Sequence, residues 1–342
     1  MSGRISCRGF WAKLKKPIMA LSPMDDVTDA AFRLLVVRRG KPDVFFTEFV
    51  AVDGLCSDEG RPRLLKDLRF DESERPIVAQ LFGDKPENFA RAARLMAELG
   101  FDGVDINMGC PVKTVINIGA GACLLNKPEL AQEIIQATIE GAGELPVSVK
   151  TRIGYNKINS VEWAEQLLAA GPAAITFHLR TKKEMSQVAA HWEEMPRIVA
   201  AARGSGVLII GNGDVRTLAE AEQKAAETGC DGVMFGRAIF GNPWLFNRAV
   251  RPEDVTLEDK FAAMLEHARL YEQMFTGEKN FLVMRKHLMA YASGFPGAKD
   301  FRISLERIGC AEDVRVAIDA FRKTHLNRVV ESPPGLSAEQ PI

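Results

Sequence analysis

The stretch IVAQLFGDKPENFARAARLMAELGFDGVDIN, residues 77–107, decides the fold. It opens with an apolar run of strand length, Ile77–Phe82. A helix-period segment follows, Pro86–Glu98, with Phe89, Ala93, Leu95 and Met96 on one side. Proline stands in the first turn, where its missing N–H costs nothing. A second apolar run, Gly103–Asn107, closes a β-α-β unit. The same alternation extends both ways. Further strands are expected at Ile18–Ser22, Val44–Thr47, Val147–Arg152, Ala174–His178, Val207–Gly211 and Gly232–Phe235. Helices are expected at Pro128–Ala142, on Leu130, Ile134, Ile135 and Ile139, and at Ser160–Ala170, opened by Ser160 as a capping serine. About eight β/α units in roughly 235 residues match a (β/α)8 TIM barrel. A doubly wound sheet is the competing α/β reading, but no G-x-G-x-x-G follows the first strand.

From about Val255 the strand signal ends, and Leu257–Phe275, Phe281–Ser293 and Val314–Val330 read as helices. The expected organisation is a catalytic barrel over residues 1–252, a small helical domain over 253–330 and a disordered tail over 331–342, which contains Ser332-Pro333-Pro334-Gly335. The basic start, Met1–Lys16, is expected to be ragged and only partly ordered.

The 342 residues carry a formal net charge of −1, so bulk charge does not advertise a nucleic-acid partner. Any RNA contact has to come from a local basic face. Cys7, Cys56, Cys110, Cys123, Cys230 and Cys310 form no C-x-x-C pair. This argues against zinc or another metal and against a disulfide framework, and places the chain in a reducing cytoplasm. No run approaches the ~20 apolar residues that span a bilayer. A monomer is expected.

In a barrel of this kind the C-terminal ends of the strands converge on one mouth. Here those ends carry Pro23-Met24-Asp25-Asp26, Thr47-Glu48, Gln80, Asn107 with Cys110, Lys150 with Arg152, His178 with Arg180, Asn212-Gly213-Asp214, and Gly236-Arg237. Loops are polar in any protein, but Gln80, Lys150 and His178 lie within or beside apolar β runs. The glycine-bearing turns after strands seven and eight, with Arg237, suit a phosphate-tailed cofactor. Gln80 and Lys150 suit the pyrimidine edge of a flavin, where a cation steadies the reduced ring. Lys150 is alternatively read as a salt-bridge partner of Glu48 or Asp105. Cysteine is often a small buried hydrophobe. That reading suits Cys123 and Cys230 better than Cys110, which sits in a mouth loop between Gly109 and Pro111 and is a candidate general acid.

These residues resemble the tRNA-dihydrouridine synthase family. The resemblance rests on Pro23–Asp29 with Phe32-Arg33, Thr47-Glu48-Phe49, Gln80–Gly83, Asp105–Pro111, Lys113–Leu125, Ser148–Gly154, His178–Thr181, Asn212–Asp214 and Gly236-Arg237. It continues through Met284–His287, Tyr291 and Gly294 to Arg302. It implies FMN held by Pro23, Met24, Asp25, Gln80, Lys150, His178, Asn212, Gly213, Asp214, Gly236 and Arg237. It implies Cys110 as proton donor, and Asn107, Lys150, Arg152 and Arg180 facing the uracil. The implied reaction is reduction of a tRNA uridine to 5,6-dihydrouridine, with NADPH reducing FMN and tRNA held by the helical domain. Arg285, Lys286, Lys299 and Arg302 are candidates for that contact, although on charge alone an ordinary solvated helix surface is the preferred reading. Family members usually carry glycine where Leu179 stands. This bulkier side chain is expected to reshape the substrate side of the pocket, and Lys183–Trp192 departs from the usual pattern as well.

Three rivals are open at this level. A flavoenzyme for a free pyrimidine or an enone would need FMN but no RNA. An aldolase-type barrel would use Lys150 as a Schiff base. An RNA-binding protein with a degenerate site would need neither, and the intact set Gln80, Cys110, Lys150 and His178 disfavours it.

Overall fold

The computed structural model describes residues 6–326 of the 342. The chain divides into two compact units between Val250 and Arg251. The first is a parallel barrel. Its strands are β1 (Ile18–Leu21), β2 (Phe45–Phe46), β3 (Val50–Ala51), β4 (Ile77–Phe82), β5 (Gly103–Met108), β6 (Val147–Arg152), β7 (Ala174–His178), β8 (Leu208–Asn212) and β9 (Gly232–Phe235). Eight of them follow the order β1-β9-β8-β7-β6-β5-β4-β2, and the extra short β3 pairs with β4. The last seam, between β1 and β2, is a parallel bridge from Ala20 to Val44. It is bonded by Leu21 N–H to the Val44 carbonyl (3.1 Å) and Asp43 N–H to that of Met19 (2.8 Å).

Parallel strands covered by helices are buried on both faces, which is why they read as nearly continuous apolar runs. Alternation still sorts the side chains. In β6, Val147, Val149 and Thr151 turn outward, and Ser148, Lys150 and Arg152 turn inward. Register then lays inward residues side by side: Gln80 against Asp105 against Ser148, Asn107 against Lys150, and Arg152 against His178 against Asn212.

The helices Pro86–Glu98 and Pro128–Ala142 form where the periodicity places them. The helix at 160 differs in its cap. Asn159 occupies the cap position, and Ser160, already inside the first turn, gives its hydroxyl to Glu194 instead.

The start of the chain is not ragged from Ser6 onward. Trp11 is 2% exposed and packs with Ile18, Ala20, Val44, Phe46, Val78, Ala174, Leu208 and Ile210 at the N-terminal ends of the strands. Ser6 N–H reaches the Gly171 carbonyl (2.8 Å), its hydroxyl accepts from Val147 N–H (2.8 Å), and Lys16 pairs with Asp231 (2.5 Å). The segment is a plug across the barrel floor. Tertiary burial of one large aromatic outweighs the absence of any local periodicity.

A second buried device ties the helix Ala30–Arg39 to the turn before β4. Arg33 and Glu74 are both fully buried, with Nε to Oε2 at 2.5 Å. The guanidinium also donates to the carbonyls of Thr28 (2.6 Å) and Arg69 (2.5 Å), while the other Glu74 oxygen accepts from Asp71 N–H (2.9 Å).

The second unit is helical. Leu257–Phe275 opens on a capping box between Thr256 and Asp259. The expected helix Phe281–Ser293 is a 3-10 turn, Phe281–Met284, running into Arg285–Tyr291, and Ala298–Ser304 is an additional helix. The last one starts earlier than expected, at Ala311, and runs to Phe321 before a π turn to Leu326. The remainder of the expected 314–330 helix and the 331–342 tail lie outside the described residues. Among the described residues no helix is long and apolar enough to cross a membrane.

Candidate active site

A cavity of about 720 Å³ opens at the C-terminal ends of the barrel strands. Of the residues singled out from sequence, Pro23, Met24, Gln80, Asn107, Cys110, Lys150, Arg152, His178, Arg180, Asn212, Gly213, Asp214, Gly236 and Arg237 all line it. Asp25 does not. It is exposed beside Asp26 and Glu48, and Glu48 accepts from Asp26 N–H (2.6 Å). Leu179 is also placed otherwise than expected. It is fully buried and absent from the cavity lining. His178 and Arg180, its neighbours, both line the mouth, and Leu179 sits between them at a tight turn closed by Arg180 N–H to the His178 carbonyl (2.7 Å).

The wall behind Cys110 is a relay of hydrogen bonds from three strands. Ser148 Oγ donates to Asp105 Oδ1 (2.6 Å), and Gln80 Nε2 donates to Asp105 Oδ2 (2.7 Å). Asn107 Nδ2 donates to Gln80 Oε1 (3.0 Å). Asn107 Oδ1 then accepts from the main-chain N–H of Gly109 (3.1 Å) and Cys110 (2.9 Å). A Cβ on Gly109 would sit 3.3 Å from the Thr151 backbone, so glycine lets the turn lie against β6. Burial pushes the Cys110 thiol above its ordinary value, so it is protonated at neutral pH.

Lys150 makes no salt bridge with Glu48 or Asp105. Its Nζ lies 3.4 Å from Asn212 Oδ1. Burial, with Arg152 next, lowers its pKa to about 8, against the opposing pull of Asp105. Burial and the surrounding cations, led by Lys150, hold His178 well below its usual range, so the ring is neutral. Its Nε2 accepts from Arg180 Nη1 (3.2 Å), which leaves the ring proton on Nδ1.

Two arginines read as facing a substrate spend donors on the 181–190 loop. Arg152 donates to the carbonyls of Gly109 (2.8 Å), Thr181 (3.1 Å) and Met185 (3.0 Å). Arg180 donates to the Val188 carbonyl (2.7 Å) and to Asp214. Asp214 also takes Arg237 (2.8 Å) and the Ala190 N–H (2.9 Å).

Sequence reasoning missed Phe49, Ser186, Arg216 and Met234, which also line the cavity. Phe49 had a signal, since it follows Thr47-Glu48 at a strand end, and it stacks edge-on against Phe82 (5.4 Å between centroids). Ser186 lies in an irregular loop and had none. In the helical unit, Arg285 and Lys299 are exposed, whereas Arg302 gives Nη1 to the Ala292 carbonyl (2.8 Å).

The sequence model of the Dihydrouridine synthase (Dus) family matches residues 20–325. A probable tRNA-dihydrouridine synthase 2 of Bacillus subtilis is 43% identical over 267 residues, covering 77% of this chain and 81% of its own. A probable tRNA-dihydrouridine synthase of Staphylococcus aureus is 42% identical over 267 residues, covering 77% and 80%. One from Staphylococcus epidermidis is 41% identical over the same length, covering 77% and 81%.

Proposed function

The chain belongs to the dihydrouridine synthase family, and from that premise we infer that it is an FMN-dependent oxidoreductase that reduces uridine in tRNA to 5,6-dihydrouridine. The observation that carries the chemistry is that Cys110 lines the same cavity as Lys150, Asn107 and His178, where burial, by raising the thiol pKa, favours its protonated form.

The cavity residues fit FMN. A Cβ at Gly236 would meet nothing nearer than Met24 Sδ at 4.0 Å, so glycine there leaves free room on the cavity wall beside Arg237. Asn212, Gly213, Gly236 and Arg237 would take the phosphate end, with Pro23 and Met24 along the ring and Lys150, Gln80 and His178 at its polar edge. When bound, FMN reduced by NADPH supplies the hydride for C6 of the uracil. Cys110 supplies the proton for C5 from the opposite face, which completes a two-electron reduction. Asn107 positions the thiol through the Gly109–Cys110 turn. A stacked base cannot reach a recessed cavity, so the target nucleotide is extruded from the RNA. The helical region at 253–330 holds the tRNA by shape and phosphates, with Arg285 and Lys299 among its exposed cations. The protein acts as a monomer in the cytoplasm, where six unpaired thiols are at home.

Purified protein is expected to carry a flavin band near ~450 nm. Transfer RNA from cells lacking the protein is expected to lose dihydrouridine at one or more positions. An unchanged map, with no redundant enzyme present, would sink the tRNA reading.

Lys150 gives a pH signature. Its charged form is lost as pH rises through about 8. If the ammonium holds the flavin edge, FMN affinity falls above that pH. Lys150→Met weakens binding roughly 10- to 100-fold at neutral pH, the worth of a charge-assisted hydrogen bond. Fluorescence titration of the flavin-free protein measures both, and a flat pH profile would remove Lys150 from the cofactor site.

A further inference from the structure

Asp214 stands at a junction. It follows Gly213 at the end of β8 with φ of +57°, a left-handed conformation in which a non-glycine residue is uncommon. One carboxylate oxygen takes Arg180 and the Ala190 N–H, and the other takes Arg237. These partners come from the segments after β7 and β9, the two strands that flank β8. Arg180 and Ala190 belong to the 178–190 segment on the substrate side, while Arg237 begins the turn after β9 where the cofactor phosphate is expected.

The 181–190 loop has no helix or strand of its own. Polar tethers hold it. Arg152 grips the Thr181 and Met185 carbonyls, Arg180 grips Val188, and Asp214 receives Ala190. Ser186, inside the loop, lines the cavity.

We propose that Asp214 is a positioning residue that holds the 181–190 loop at the mouth and tightens that hold when a phosphate group takes Arg237. A phosphate dianion competes with the carboxylate for the Arg237 guanidinium. Relieved of one cation, the carboxylate gives its charge to Arg180 and Ala190. Like-charge repulsion from the phosphate acts in the same direction. Cofactor loading thereby sets the substrate-side wall. The inference rests on the flavin reading above.

The test is amide hydrogen exchange over residues 183–190, in which the Ala190 N–H reports directly on Asp214. The flavin-free protein is compared with protein saturated with FMN, with riboflavin, which has the ring and no phosphate, and with inorganic phosphate. Exchange in this segment is expected to slow about tenfold more with FMN than with riboflavin, the scale of one charge-assisted hydrogen bond. Phosphate alone gives part of the effect. Asp214→Asn removes the difference between FMN and riboflavin. Arg237→Gln, without flavin, already shows the slow exchange, and it keeps the test open if Asp214→Asn does not fold. Equal protection by both flavins, or a difference that survives Asp214→Asn, overturns the proposal. If FMN does not stay with the protein through gel filtration, the flavin reading itself fails. FMN that is retained without loop protection defeats this inference alone.

Discussion

Cys110→Ala abolishes most uridine reduction and leaves the flavin half of the reaction standing. General acid catalysis contributes about 10²–10⁴-fold, and the variant is expected to lose a factor in that range from kcat on tRNA. The side chain removed is small and half-buried, so the cavity keeps its shape. FMN retention and NADPH oxidation by an artificial electron acceptor persist, because neither needs a proton at C5. The pH profile of the wild type is expected to agree in sign. Burial raises the thiol pKa, so its proton is present at neutral pH and is lost only on the alkaline side. Lys150 loses its own charge earlier, near about 8. The alkaline limb therefore begins with Lys150. Loss of bound flavin in Cys110→Ala would mean that the thiol is part of the cofactor wall and not the acid.

Glu74→Ala is expected to cost about 3–5 kcal/mol of stability, the usual consequence of leaving one partner of a buried ion pair uncompensated. Arg33 would be left with two carbonyl partners and no counter-charge in a fully buried position. The Asp71 N–H would also lose its acceptor. Replacing both Arg33 and Glu74 with apolar residues of similar volume is expected to cost much less, since desolvation of the pair offsets much of its attraction. Urea unfolding of the single and double variants measures this. A Glu74→Ala change within about 1 kcal/mol of wild type would mean that water reaches Arg33 and solvates it.

Most of the site was legible because of a property of parallel barrels: strand ends meet. Once β5, β6 and β7 were bounded, Asn107, Lys150 and His178 had to share a mouth. The relay from Ser148 through Asp105 and Gln80 to Asn107 was not legible as a unit. Its members come from three strands, and the pairing of 80 with 105 and 148 is a fact of register. The burial of Leu179 was not legible, because it follows the end of β7 at a tight turn closed by Arg180 N–H to the His178 carbonyl, where strand alternation no longer holds. Asp214 was placed at the mouth correctly, but its carboxylate is shared by three partners from distant segments, which no local pattern announces. Trp11 illustrates the opposite limit. It lies in a short basic segment without periodicity, and only the shape of the barrel floor explains its burial.

That plug makes the barrel one-ended. With Trp11 packed beneath the strands, the cavity at their C-terminal ends is a pocket and not a channel, and whatever enters it leaves by the way it came.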